Sequence, residues 1–189
     1  MNTYDFDKTI FYPDSSATFV KWSLRRHPLL LLIWIPGAAL YGLLYVLKLT
    51  GKEILKEHLF SFVRHLPDID AELELFWDEH QSQIGKWYLE QKRPDDLVIS
   101  ASPEFVVKPM TDRLGVRLMG TPMDKKTAKI NGKNCYGSEK VRRFYEAYPN
   151  GHTEAFFSDS LSDAPMAEIA DSAFLIINGG QTPVPWPDK

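Results

Sequence analysis

Residues 94–119, PDDLVISASPEFVVKPMTDRLGVRLM, decide the fold class. A Pro-Asp-Asp break precedes Leu97-Val98-Ile99, a short apolar run of the kind carried by a strand buried on both faces. Ser102-Pro103-Glu104 then reads as a helix start, with Ser102 as N-cap and Pro103 at the first helical position. Residues 115–119 read as the next strand. The alternation continues: 138–148 helix, 153–157 strand, 164–170 short helix, 173–177 strand. Strands separated by helices pair in parallel through crossovers, so the expectation is an α/β fold, a parallel sheet with helices on both faces.

Upstream, residues 1–13 form a short strand-like opening, and 14–92 read almost wholly as helix. Ile69, Leu73, Phe76, Trp77, His80, Ile84, Trp87 and Tyr88 keep helical spacing with charges between them. The expected organisation is a core of 1–13 and 93–189, split after its first strand by an all-helical insertion, 14–92. The tail, GGQTPVPWPDK, reads as loop or polyproline-like.

The 189 residues are 44% hydrophobic and 13% aromatic, which excludes a disordered or collagen-like chain. Lys and Arg number 22 against 25 Asp and Glu, so no electrostatic footprint for a nucleic-acid partner exists. Cys135 is the single cysteine and can form neither an internal disulfide nor a thiolate metal site, which favours a reducing, cytoplasmic setting. The N-terminus, MNTYD, lacks the charge and apolar run of a secretory signal. The five histidines have no ligand spacing.

Open parallel sheets bind ligands beyond the carboxyl ends of their strands, and four such ends carry polar residues. Asp5 and Asp7, two apart at the end of the first strand, suit a metal or a nucleophile/acid pair, or equally a solvated strand end. Ser100 closes a buried strand just before a helix N-terminus, where anions bind. Lys140 falls in the first turn of its helix, where the macrodipole disfavours a cation by about 0.3–1 kcal/mol; it becomes purposeful if it points at a shared anion. Asp159 and Asp163, four apart, suit a hard cation, although Asp163 alone would serve as an N-cap.

In this order, DFDKT, IS, a lysine and SDSLSDAP resemble the four motifs of the haloacid dehalogenase superfamily. The chain resembles in particular its phosphoserine-phosphatase-like branch, with a Rossmann-like core and a helical cap between the first two motifs. LRRHPLLLLIWIP, ISASP and CYGSEKV further resemble the C-type phosphatidylglycerophosphate phosphatases. The resemblance implies a Mg²⁺-dependent phosphomonoester hydrolase working through an aspartyl-phosphate. Asp5 would be the nucleophile and Asp7 the general acid, then base. Ser100 and Lys140 would hold the phosphoryl oxygens, and Asp14 and Ser102 would face the substrate. Mg²⁺ would be held by Asp5, the Asp7 carbonyl and Asp159, with Asp163 behind them. Asp7 favours phosphate esters over halides, because an alcohol leaving group needs a proton. The sequence departs from the branch at SAS, where two glycines are usual, and at Ser158, where glycine is usual. A membrane-surface lipid phosphatase, a small-molecule phosphatase acting on a compound such as phosphoserine, and a non-catalytic membrane-surface module are the alternatives.

From Pro28 to Leu47 no charge occurs. A single membrane pass would separate Asp5 from Asp159, which must meet at one site. Pro36-Gly37 is expected to break the segment into two half-helices, 29–35 and 38–47, too short for the ~30 Å hydrocarbon core. Lys21, Arg25 and Arg26 before it, and Lys48 and Lys52 after it, suit a hairpin dipping into the cytoplasmic face of a membrane. Burial within the cap or in a dimer is the other reading, and the oligomeric state is left open.

Overall fold

The computed structural model describes residues 1–179 and 181–187. The chain opens with β1 (Thr3–Tyr4) and passes into five helices: α1 (Ser15–Arg26), α2 (Leu30–Val46), α3 (Lys52–Leu59), α4 (Ile69–His80) and α5 (Lys86–Gln91). There follow β2 (Leu97–Pro103), α6 (Glu104–Leu114), β3 (Arg117–Thr121), α7 (Ser138–Ala147), β4 (Thr153–Ser158), α8 (Ala164–Ile169), β5 (Ala170–Ile177) and β6 (Thr182–Pro185). The strands form one sheet in the order β3-β2-β1-β4-β5-β6. Strands β1 to β5 pair in parallel, and β6 joins β5 antiparallel. From β1 the chain first builds outward through β2 and β3, then returns to the other side of β1 for β4. The gap between β1 and β4 is therefore a switch point, where loops diverge and leave a crevice.

Alternation along the strands splits the core in two. Val98 and Phe157 pack on one side with Phe19, Trp77 and Val106, while Leu97, Ile99 and Phe156 pack on the other with Phe144 and Met166. Helices thus cover both faces, as the apolar strand runs require.

Several expectations are corrected. Strand β2 runs on through Ser102 and Pro103, and α6 starts at Glu104 with no side-chain cap. Ser102 is not an N-cap because its hydroxyl is committed to Asp7. Strand β3 starts at Arg117, since Gly115 ends α6 in the left-handed region, φ +69°. Ala170 begins β5 instead of ending α8. The tail supplies β6, whose prolines are tolerated on an edge strand; its Gly180, Asp188 and Lys189 lie outside the described residues. Finally, α2 is a single 17-residue helix running through Pro36. One lost backbone bond there leaves the turns on either side intact, so the two half-helices are not formed. At 1.5 Å per residue it is about 25 Å long, and among the described residues no helix is long and apolar enough to cross a membrane.

Trp77 of α4 ties the inserted helices to the core. Its ring packs against Phe6 and Phe11 just after β1, and its indole N–H donates to the Val106 carbonyl of α6 at 2.8 Å. Trp77→Phe keeps an aromatic ring but removes the only donor to that buried bond. It should cost about 1–3 kcal/mol, read as a lower urea midpoint with an unchanged slope; an unshifted midpoint would show that the indole bond contributes nothing.

Candidate active site

The chain just after β1 turns around one buried side chain. Phe6 is fully buried and its carbonyl accepts from the N–H groups of Thr9, Ile10 and Phe11 at 2.9–3.4 Å. Lys8 takes a positive φ of 57° to close this turn. Asp5 and Asp7, on either side of Phe6, both line a cavity of about 350 Å³. They sit just beyond the end of β1. Asp5 continues the pairing with β4 by donating its N–H to the Phe157 carbonyl at 2.8 Å.

Lys140, the third residue of α7, is buried, and its Nζ donates to Asp5 Oδ1 and Asp163 Oδ2, both at 2.7 Å. Ser158 Oγ also donates to Asp163 Oδ2, at 2.8 Å. This answers the glycine-to-serine departure: Ser158 anchors Asp163. Burial works against a charge on Lys140, but Asp5 and Asp163 outweigh it and hold its pKa above that of an ordinary lysine. Burial pushes the Asp5 carboxyl up to about 7, against the pull of Lys140 and with help from Asp163 and Asp7.

Asp7 sits between two serine-bearing segments. Its Oδ1 accepts the Ser15 N–H at 2.6 Å, and its Oδ2 accepts the Ser102 hydroxyl. Ser102 Oγ lies 2.7 Å from Ser16 Oγ. Burial, reinforced by nearby Asp14, raises the Asp7 pKa to about 6, and the serine bonds oppose that rise. Such a carboxyl is well placed to exchange a proton near neutral pH. Asp14 caps α1 by accepting the Ala17 N–H at 2.8 Å. Asp159 follows β4, its N–H donating to Thr9 Oγ1 at 2.9 Å, and burial raises its pKa.

Seven of the expected site residues line this one cavity: Asp5, Asp7, Asp14, Ser102, Lys140, Asp159 and Asp163. Ser100 is buried next to it, its Oγ accepting the Ser102 N–H at 3.0 Å. Sequence reasoning missed Lys56 and Asn134. Lys56 Nζ reaches from α3 to the Ala101 carbonyl and Asn134 Oδ1, both at 2.7 Å, and burial lowers its pKa to about 8. Lys52, expected among the headgroup-facing cations, also lines the cavity and lies over the Tyr136 ring at 4.2 Å. The signal was present: two lysines four apart share a helix face. Asn134, in a loop between β3 and α7, carried none.

The implied magnesium fits these residues. The donors are carboxylate and carbonyl oxygens, which hard cations prefer, and Asp163 Oδ1 is buried without a hydrogen-bond partner among the described residues. No group of three His, Cys, Asp or Glu among the described residues would hold a metal by itself. Mg²⁺ is usually bound through one or two carboxylates, waters and substrate phosphate. Asp5 and Asp159 would hold it, with the Asp7 carbonyl.

A family model described as haloacid dehalogenase-like hydrolase matches residues 3–168. A solved protein of unknown function from Bordetella pertussis Tohama I superimposes with a TM-score of 0.69 at 19% identity, covering 92% of this chain and 87% of that one. A phosphoserine phosphohydrolase-like protein from Francisella tularensis subsp. tularensis SCHU S4 gives 0.53 at 14% identity, covering 92% and 86%. DsGPDH of Dunaliella salina also gives 0.53 at 14%, covering 90% of this chain but 30% of that one. At these identities the likeness is one of fold. No match is found among curated proteins.

Removing Lys140 should expose the electrostatics directly. Lys140→Met leaves Asp5 buried without its cation, so its carboxyl, already pushed up by burial, rises further above its unfolded value. Stability is then retained at low pH, where the Asp5 carboxyl is protonated, and lost as pH climbs. The variant should melt close to wild type near pH 4 and be about 3–5 kcal/mol less stable near pH 8. A loss independent of pH would mean that packing, not charge, sets the cost.

Proposed function

The chain belongs to the haloacid dehalogenase-like hydrolases, and from that premise we propose that it is a Mg²⁺-dependent phosphomonoester hydrolase using Asp5 as nucleophile. The observation that carries this reading is the buried Asp5–Lys140–Asp163 arrangement beside a second carboxyl, Asp7, whose pKa is raised to about 6. The magnesium, when bound, would neutralise phosphoryl charge and draw the phosphate to Asp5. An Asp5 carboxylate oxygen attacks phosphorus, and the bond from phosphorus to the ester oxygen breaks. Asp7 gives its proton to that oxygen as the alcohol leaves. The Asp7 carboxylate then takes a proton from water, whose oxygen attacks phosphorus and frees Asp5. Lys140 balances the charge on Asp5 and the phosphoryl oxygens. Ser100 only accepts in its bond with Ser102, so its own hydroxyl proton is available to a phosphoryl oxygen.

Asp5→Asn should reduce hydrolysis of para-nitrophenyl phosphate to background while the protein stays folded. Asp7→Asn should impair an alkyl phosphate far more than this aryl ester, whose leaving group needs little protonation, and should accumulate phosphoenzyme. Appreciable turnover by Asp5→Asn would refute the covalent route; equal losses on both esters without trapped phosphoenzyme would refute the role of Asp7.

We further propose that the enzyme attaches to the cytoplasmic face of a membrane. What supports it is that α2 buries none of its residues and leaves Leu32, Ile33, Leu43 and Val46 exposed. Of the five flanking cations, Arg26 is drawn off to Glu72 at 3.2 Å and to the Trp22 ring, and Lys52 to Tyr136. Lys21, Arg25 and Lys48 are left for anionic headgroups. The protein should co-sediment with anionic liposomes, less so at high salt because only the basic contribution is screened. Leu32→Asp with Leu43→Asp should abolish attachment without lowering the melting temperature, since both sites are exposed. Wild-type protein remaining in the supernatant at low salt would overturn the membrane contact.

A further inference from the structure

Beside the carboxylate cavity lies a larger one of about 740 Å³. Its exposed wall is mostly apolar, built from Val20 and Leu24 of α1, Leu31 and Trp34 of α2, and Leu55 and Leu59 of α3, with Lys21 and Arg25 of α1 also lining it. Trp34 donates its one N–H to the Leu59 carbonyl at 2.9 Å, so the indole offers the groove only apolar surface. Asp14, Ser16, Lys52 and Lys56 line both cavities, so the two adjoin at these side chains.

The junction lies where the leaving group must be. Asp7 is held by the Ser15 N–H and by Ser102, and Ser102 by Ser16, so the proton donor faces the first turn of α1, where the groove begins. A phosphoryl group at Asp5 and Lys140 therefore points its ester oxygen towards Asp7 and the rest of the ester past Ser16 into the groove. A hydrocarbon chain lying along Val20, Leu31, Trp34 and Leu55 removes apolar wall and apolar ligand together from water.

We propose that this groove is the leaving-group subsite and that the substrate is a phosphomonoester of a long aliphatic alcohol, its phosphate at Asp5 and its chain between α1, α2 and α3. The proposal rests on the phosphomonoesterase reading for its chemistry, and on the groove alone for its ligand.

The test is kcat/KM, with Mg²⁺, for monoalkyl phosphates from ethyl to dodecyl below their micelle concentrations. Each buried methylene should raise kcat/KM about fourfold until the groove is filled. Leu55→Trp, which fills the groove, should lower the dodecyl to para-nitrophenyl phosphate ratio at least tenfold. In parallel, calorimetry on the Asp5→Asn protein compares dodecylphosphonate with ethylphosphonate, and the longer should bind at least tenfold more tightly. That arm needs neither turnover nor the tryptophan variant, and decides the matter if Leu55→Trp does not fold. Chain-length-dependent binding without hydrolysis of any ester would sustain the groove and refute the hydrolase reading. Equal phosphonate affinities, or a flat ester series with para-nitrophenyl phosphate still hydrolysed, would overturn the groove. A flat series accompanied by a concentration-dependent dimer in sedimentation would assign the groove to a second copy of the chain, and would likewise overturn the proposal.

Discussion

A lysine ammonium with almost no exposure to water must be paired, and the pairing of Lys140 with Asp5 and Asp163 governs the architecture around it. The three residues come from the end of β1, the first turn of α7 and the turn after β4. Their contact draws together the two loops that diverge at the switch point of the sheet. Lys140 also sits where the dipole of α7 disfavours a cation, at a cost of about 0.3–1 kcal/mol. Two buried carboxylates reverse that preference. The residue that looks misplaced on its helix is the one that the sheet needs.

The other side of the cavity depends on aromatic packing. Phe6, between the two aspartates, stacks on Phe11, and both meet Trp77 edge-on. Trp77 continues to Phe76, Phe19 and Trp22, so a chain of rings runs from the loop that carries Asp5 and Asp7 into α4 and α1. The same packing fixes the start of α1, where the Ser15 N–H meets Asp7. The helices between β1 and β2 therefore help to hold the Asp7 carboxyl as well as covering it. Helix α2 stands outside this network. One side of it lines the apolar groove through Leu31 and Trp34, while Leu32 and Ile33 remain exposed.

The departures from the sequence reading share a cause. The Ser102-Pro103-Glu104 pattern is locally a helix start, but the Asp7 carboxylate and Ser16, far away in sequence, claim the Ser102 hydroxyl. The tail, with prolines at 183 and 185, lacks the periodicity of a strand, yet it pairs with Phe174–Ile177 because the edge of β5 is open to it. Pro36 interrupts a helical ladder without ending it, because helix resumes wherever the following residues can bond to one another.

By itself the sequence determined the alternation of strands and helices, that helices fill the stretch between the first and second strands, and the order of Asp5, Asp7, Ser100, Lys140, Asp159 and Asp163. These are local properties: apolar runs declare strands, helical spacing declares helices, and polar residues just beyond an apolar run stand at strand ends. Only the tertiary structure decided that Lys52 and Lys56 reach the cavity, that Ser158 secures Asp163, that Asn134 receives Lys56, and that an apolar groove lies beside the carboxylate cavity. Apart from the Ser158–Asp163 bond, which spans only five residues, these depend on segments dozens of residues apart being brought into contact, and the free energy that holds them there is set by burial and pairing, which no local spacing encodes.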